Sequence, residues 1–198
     1  GQALKDVIQR FNLPRELLLE VIDGMQMDLQ QTRYLDWKAL NLYCYRVASV
    51  VGLLSAEIFG YTNRQTLKYA HDLGLAFQLT NIIRDVGEDA RRGRIYLPID
   101  ELQRFNVPAR QILDGEHSDN FRALMAFQAE RARQLYDQAF AQLPAEDRKA
   151  QRPGLIMAAI YRTLLDEIEA DGFLVLDRRT SLTPLRKIWI AGRTWFKG

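Results

Sequence analysis

Apolar residues along the chain recur at spacings of three and four almost throughout, and no run alternates apolar with polar positions long enough to make a strand. The pattern predicts an all-α protein. Leu17, Leu18, Val21, Ile22 and Met25 mark the apolar face of a first helix over residues 14–31, opened by Pro14. A second starts near Asp36, carries Leu40, Tyr43, Val47, Val50, Val51 and Leu54, and stops at Gly60, a residue suited to the position just past a helix end. The third begins at Thr62-Asn63-Arg64-Gln65, which has the form of a capping box, and continues to about Asp89. Gly93, Pro98 and Pro108 then punctuate the chain, so residues 93–115 read as mostly irregular, with one short helix over 98–105. Helices resume over 118–143, from Pro153 to Asp171 with Gly172 as the stop, and from Pro184 onward. With no internal repeat, Gly/Ser linker or low-complexity tract, residues 1–198 are expected to form a single helical domain.

Composition narrows the function classes. A hydrophobic share of 47% with 26% charged residues, 12 Gly and 6 Pro excludes collagen-like, low-complexity and disordered chains. Twenty-seven Lys and Arg against 25 Asp and Glu leave a net charge of +2, too slight to suggest nucleic acid as the main partner. The one cysteine, Cys44, rules out an internal disulfide, and with only His71 and His117 beside it there is no Cys/His zinc set. The longest charge-free stretch, residues 73–83, has 11 residues, short of the roughly 20 that cross a bilayer. No signal-peptide pattern opens the chain, so a cytoplasmic setting is expected. The start at Gly1-Gln2-Ala3, without methionine, suggests a fragment or processed form.

The third helix carries the candidate chemistry. At about 100° per residue, His71, Gly74, Gln78, Asn81, Asp85 and Asp89 share one face. A polar stripe is ordinarily a solvent side, but Leu75, Leu79, Ile82, Ile83 and Val86 cover one flank and Leu73 and Phe77 another, which leaves little circumference for a surface. A buried helix cannot leave two carboxylates four residues apart uncompensated, because desolvation costs several kcal/mol per ion and like charges repel. Two sources of positive charge are open. Arg84, Arg91, Arg92 and Arg94 supply one, as an ion-pair network; magnesium is the other, a hard cation that prefers carboxylate and amide oxygens, including that of Asn81, and bridges to phosphates. An EF-hand is set aside because Asp85-Val86-Gly87-Glu88-Asp89 lacks an acidic residue at its third position. Arginines beside metal-binding carboxylates suit a polyanion such as diphosphate. His71 reads as a structural histidine and Cys44 as a small buried residue.

The stretch Gly74-Leu75-Ala76-Phe77-Gln78-Leu79-Thr80-Asn81-Ile82-Ile83-Arg84-Asp85-Val86-Gly87-Glu88-Asp89, continued by Arg92-Gly93-Arg94-Ile95-Tyr96-Leu97-Pro98, resembles the second aspartate-rich motif of the squalene and phytoene synthase family. Tyr43-Cys44-Tyr45-Arg46-Val47-Ala48-Ser49-Val50-Val51-Gly52 resembles the family's Tyr-Cys-Tyr-x-Val-Ala-Gly-x-Val-Gly helix, with Ser49 in place of the usual glycine. A third stretch, from Tyr161 through Asp166-Glu167 to Arg178, resembles its closing helix and trailing arginine. The resemblance implies the all-α isoprenoid synthase bundle and the head-to-head joining of two prenyl diphosphates. In that reaction one diphosphate ionises, the other chain's double bond captures the allylic cation, and a cyclopropylcarbinyl diphosphate results. It further implies Asp85, Asp89 and Asn81 as ligands of magnesium and diphosphate, Gln78 and Arg84 as substrate contacts, and Tyr43, Tyr161 and Arg178 at the reacting end. Val47, Ala48, Val50, Val51, Gly52 and Gly74 would line the space for the prenyl tail, with ordinary helix packing as the alternative. For Tyr43 and Tyr161 the alternative is a plain core aromatic. Mg2+ is the implied cofactor, and a role for NADPH stays open because the residues do not say whether the reaction runs on to squalene.

Within the family, Arg91-Arg92-Gly93-Arg94-Ile95-Tyr96-Leu97-Pro98 and Val175-Leu176-Asp177-Arg178-Arg179-Thr180-Ser181-Leu182 look most like the bacterial hopanoid-associated presqualene diphosphate synthases, which act on farnesyl diphosphate. Phytoene synthase, using geranylgeranyl diphosphate, is the alternative, and a non-catalytic scaffold relative is a third reading. The family's first Asp-x-x-x-Asp motif lies upstream of the Tyr-Cys-Tyr block, whereas here the aspartates before Tyr43 are Asp6, Asp23, Asp28 and Asp36, no two of them four apart. The chain therefore resembles the C-terminal two-thirds of such an enzyme, with its N-terminal helices missing and its metal site completed by that remainder or by a partner chain. Arg178, Arg179, Arg186, Lys187, Arg193 and Lys197 fall in residues 178–198 without an acidic residue, among Ile188, Trp189, Ile190, Trp195 and Phe196. Peripheral contact of residues 184–198 with the inner face of a membrane is expected, packing on the bundle being the alternative.

Overall fold

A helix that is apolar over most of its circumference has to be surrounded, and α5 (Gln65–Arg91) is the axis of the computed structural model, which describes residues 2–197. Leu75, Leu79, Ile82, Ile83 and Val86 of α5 are buried, and against them α8 (Asp119–Gln142) sets Phe121, Leu124 and Met125, all fully enclosed. Each such side chain contributes about 1.5–3 kcal/mol of transfer free energy. Before α5 come α1 (Gln2–Arg10), α2 (Arg15–Gln30), α3 (Trp37–Cys44), a π-helical stretch Tyr45–Ser49 and α4 (Val50–Phe59). After it come α6 (Ile99–Arg104), α7 (Ala109–Leu113), α8, α9 (Arg152–Ala170) and α10 (Pro184–Lys197). No strand occurs among the described residues; a lone bridge joins Arg33 to Ile95. The fold is all-α, as the periodicity predicts.

Several local signals act as read. Asp36 caps α3 by accepting from the Ala39 N–H at 2.8 Å, Ser118 caps α8 by accepting from Phe121 N–H at 3.0 Å, and Gly60 ends α4 with φ +84°. Others do not. The capping box expected at Thr62 is replaced by a distant carboxylate: Asp147 accepts from the Thr62 N–H and hydroxyl, both at 2.7 Å, from the Asn63 N–H at 3.0 Å and from the Thr66 hydroxyl at 2.6 Å. α1 and α7 form where no helix was expected. The apolar face assigned to α2 is open, with Ile22 and Met25 exposed. The helix is seated instead through Gly24, where a Cβ would meet Arg46 Cβ and Val47 Cγ1 at 2.9 Å.

Glycines also fix how α4 meets α5. A Cβ at Gly52 would stand 2.4 Å from Ala70 O, and one at Gly74 would stand 2.6 Å from Ala48 O and 2.7 Å from Ser49 Cα. The two backbones thus touch where a side chain cannot fit. Ser49, buried in this crossing, donates to His71 O at 2.8 Å. The continuous helix Trp37–Phe59 is 23 residues, long and apolar enough to cross a membrane by length and composition, a length the count of charge-free residues misses because Arg46 interrupts it. Arg46 pairs with Glu20 of α2 at 2.8 Å.

Candidate active site

Between α4, α5 and α9 lies a cavity of about 360 Å3, within the size range of small-molecule pockets. Val47, Ala48, Val51 and Phe77 make its apolar wall, Gly52 and Gly74 its floor where the helices touch, and Gln78 and Asn81 its polar end. Val50, expected beside them, is fully enclosed in the core instead. Asn81 Oδ1 is buried without a hydrogen-bond partner, while Asn81 Nδ2 reaches Gln78 Oε1 only at 3.5 Å. An enclosed acceptor left bare costs about 1–3 kcal/mol, so this oxygen is poised for a ligand.

One turn further along α5, Asp85 is held by two guanidiniums. Arg84 Nε and Nη2 donate to it at 2.7 and 2.5 Å, and Arg179 Nε donates to Oδ1 at 2.7 Å. Burial works to raise the Asp85 carboxyl, but these bonds outweigh it and hold the group below the usual carboxylate range. Asp89 is different. It makes no ion pair among the described residues, and burial, followed by the charge of Asp85, pushes it up to about 6. Of the arginines named for a neutralising network only Arg84 bonds to the pair: Arg92 binds Glu88, Arg91 donates to Leu176 O, and Arg94 donates to Asp28 O.

A third group closes on Asp28, which no local pattern in the sequence marks. Tyr43 Oη donates to Asp28 Oδ2 at 3.0 Å and Tyr96 Oη to Asp28 Oδ1 at 2.7 Å. The Tyr43 ring lies 5.2 Å from Tyr96 and 5.4 Å from Tyr34, so the phenols form one stacked cluster. Burial, then the neighbouring phenol and carboxylate, pushes Tyr43 well above the ordinary phenol range, so it stays a donor; Tyr96 is pushed up to about 12. Tyr43 is thus in this cluster and not on the cavity wall. Tyr161 of α9 packs on Phe77 at 4.9 Å.

Arg178, expected at the reacting end, does not join this group. It is exposed and pairs with Asp171, while its neighbour Arg179 takes the place at Asp85. The reason lies in the segment between α9 and α10. Gly87 N–H donates to Val175 O at 3.2 Å, and a turn in which Asp177 and Arg178 N–H groups meet Leu174 O aims the next residue, Arg179, at α5.

No group of three or more His, Cys, Asp or Glu gathers for a metal among the described residues. The stripe still fits a hard divalent cation in kind: a bare amide oxygen at Asn81, a carboxyl at Asp89 that makes no ion pair among the described residues, and a carboxylate at Asp85 held by two arginine side chains.

The helices pack around an apolar cavity whose polar end, Gln78 and Asn81, lies one turn before Asp85 on α5, and the arrangement is that of the all-α isoprenoid synthase fold. A solved dehydrosqualene synthase, in complex with ligand, superposes with a TM-score of 0.89 at 28% identity, over 98% of this chain and 69% of that one. The family model described as squalene/phytoene synthase matches residues 1–186, and the chain belongs to that family. Among curated relatives, 15-cis-phytoene synthase of Synechocystis is 38% identical over 98% of this chain and 61% of its own length, and phytoene synthase of Arthrospira platensis is 40% identical over 94% and 64%. The squalene synthase HpnC structure from Alicyclobacillus acidocaldarius gives a TM-score of 0.78 at 26% identity, over 87% of this chain and 65% of that one. The chain therefore spans a little over three-fifths of the length of these curated relatives.

Proposed function

We propose that this chain binds and ionises a prenyl diphosphate in the head-to-head condensation of two such molecules, with geranylgeranyl diphosphate as the substrate. The reading rests on one juxtaposition: a bare buried amide oxygen at Asn81, an Asp89 without an ion pair among the described residues and a guanidinium-held Asp85 follow one another on the helix that also lines an apolar cavity. Asp85, Asp89 and Asn81 would hold Mg2+, which when bound takes up charge on the departing diphosphate. Arg84 and Arg179 exchange a carboxylate oxygen for a phosphate oxygen, a charge-assisted bond of the same geometry. Gln78 orients the substrate at the cavity's polar end. Val47, Val51 and Phe77 keep water from the tail, and the paired rings of Phe77 and Tyr161 offer aromatic faces to the allylic cation. Asp28 holds the Tyr43 and Tyr96 phenols together in a cluster apart from the cavity wall. The reaction takes further acidic ligands, from residues outside 1–198 or from a partner chain.

The relatives support geranylgeranyl over farnesyl diphosphate. Phytoene synthases match at 38–40% identity and the squalene-type structures at 26–28%, which reverses the order suggested by the motif at residues 91–98. Incubating the full-length protein with each diphosphate and Mg2+, followed by mass spectrometry of the product, tests both parts. Preference for farnesyl diphosphate overturns the chain length; no consumption of either overturns the reaction and leaves the non-catalytic reading.

A further inference from the structure

The last helix turns an apolar face to water. α10 packs on α9 through Ile190, which is buried, and through Arg186, whose Nη2 lies 2.7 Å from Glu167 Oε1. On its other side Leu185, Ile188, Trp189, Trp195 and Phe196 stand at i, i+3, i+4, i+10 and i+11, one stripe about 120° wide at 100° per residue. The stripe points outward: Leu185 is 79%, Trp189 61% and Phe196 89% exposed. Arginines edge it: Arg193 lies over the Trp189 ring at 5.4 Å and Arg152 of α9 lies over Trp195 at 4.5 Å. Lys187 is exposed on the helix's polar side, about 140° from the centre of the stripe at 100° per residue. The side chain of Lys197 and the whole of Gly198 lie outside the described residues.

Two observations choose among possible occupants of this face. The exposed apolar residues of α2 (Ile22, Met25, Leu29) are interleaved with Glu16, Glu20, Asp23 and Asp28 and fall within the stretch the family model matches, which ends at residue 186. The stripe on α10 from Ile188 onward lies beyond that stretch, on a helix that carries Arg186, Lys187, Arg193 and Lys197 and no acidic residue; Arg186 is paired with Glu167, while Lys187 and Arg193 make no ion pair among the described residues. Its charge therefore complements an anionic surface, and tryptophans beside cations suit the boundary between headgroups and acyl chains. We propose that α10 lies in the interface of an anionic lipid bilayer, with Leu185, Ile188, Trp189 and Phe196 inserted and Lys187 and Arg193 at the lipid phosphates. This stands independently of the reading of the diphosphate site.

Co-sedimentation of the full-length protein with vesicles of phosphatidylcholine, with or without phosphatidylserine, tests it. Binding is expected only with the anionic lipid and to weaken as salt rises. Lys187→Gln and Arg193→Gln should each weaken it on the order of fivefold, roughly 25-fold together, and Trp189→Ser with Phe196→Ser should abolish it, while circular dichroism and melting confirm that each variant is folded. Equal binding to both vesicle types, no binding to either, or undiminished binding of the folded Trp189→Ser/Phe196→Ser variant overturns the proposal. A dimer on gel filtration that this variant breaks also overturns it, and gives the face to a second copy.

Discussion

Replacing Gly87 by alanine sets two effects of opposite sign against each other. Gly87 lies inside α5, midway between Asp85 and Asp89, where helix propensity alone favours alanine by about 1 kcal/mol. A Cβ at this position, however, would stand 2.4 Å from Val175 O, 2.6 Å from Leu176 O and 2.7 Å from Leu176 Cα, all backbone atoms, whereas ordinary contact begins at 3.4 Å. The segment following α9 must retreat by about 1 Å, which stretches the Gly87 N–H bond to Val175 O and the Arg91 bond to Leu176 O. Overpacking costs about 1–3 kcal/mol and each of the two weakened bonds about 0.5–1.5 kcal/mol, so after the propensity gain of about 1 kcal/mol the net loss is about 1–5 kcal/mol. For a chain of this size that lowers the melting temperature by roughly 2–4 °C per kcal/mol. The same segment carries Arg179 to Asp85, so its retreat should also raise KM for the diphosphate. Thermal unfolding and steady-state kinetics measure the two arms. A second variant, Arg179→Ala, separates them: if Gly87 acts through Arg179, adding Gly87→Ala to Arg179→Ala leaves the kinetic defect unchanged. A Gly87→Ala protein that melts higher than the parent with unaltered kinetics would refute the argument.

Asp85→Asn should lower turnover by about 100-fold or more, on the scale of losing one transition-state charge contact, while circular dichroism shows the helices intact; full activity, or an unfolded protein, would make Asp85 a structural ion-pair member. Val51→Phe, at a half-exposed position on the cavity wall, should shorten the accepted prenyl chain at unchanged melting temperature, read from competition between the two diphosphates. Asp147 is held down at about 2: its own burial works to raise it, but the hydrogen bonds from Thr66, Thr62 and Asn63 outweigh that. Its contribution is then present above the ordinary aspartate pKa, near 3.9, and is lost as pH falls through about 2. Melting curves should show this acid-side loss in the parent and not in Asp147→Asn.

The course of α5, α8, α9 and α10 was legible because each buries a wide apolar face or opens on a Ser or Pro start, signals that act within one or two turns. The stripe from Gln78 to Asp89 was legible for the same reason, since its apolar flanks leave it nowhere to go but into a cleft. Choices between neighbours were not. Arg178 and Arg179 are chemically equivalent, and the one that reaches Asp85 is decided by a turn on Leu174 docked against Gly87, far away along the chain. Asp147 takes up the Thr62 hydroxyl from 85 residues away, leaving Asn63 Oδ1 to accept from the Gln65 N–H at the start of α5, so the local capping box had a competitor that no local pattern contains. Asp28 is likewise defined by Tyr43 and Tyr96, 15 and 68 residues away. What lies against the apolar face of α2 was not legible, because periodicity reports that a face is apolar and says nothing about what covers it.

The π-helical stretch Tyr45–Ser49 puts one extra residue into the rod from Trp37 to Phe59. An extra residue rotates everything before it against everything after it by about 100°. That offset is what allows Tyr43 to face Asp28 while Gly52 meets Ala70 O and Val51 lines the cavity. Length, as well as residue type, therefore sets the geometry of this stretch. Removing any single residue from 45–49 would leave every remaining side chain chemically intact yet put the phenol cluster and the cavity wall out of phase. Substitution is tolerable by comparison: Ser49 stands where the family's helix has glycine, and its hydroxyl simply finds His71 O. A one-residue deletion within 45–49 should therefore be costlier than a substitution that fits the same space.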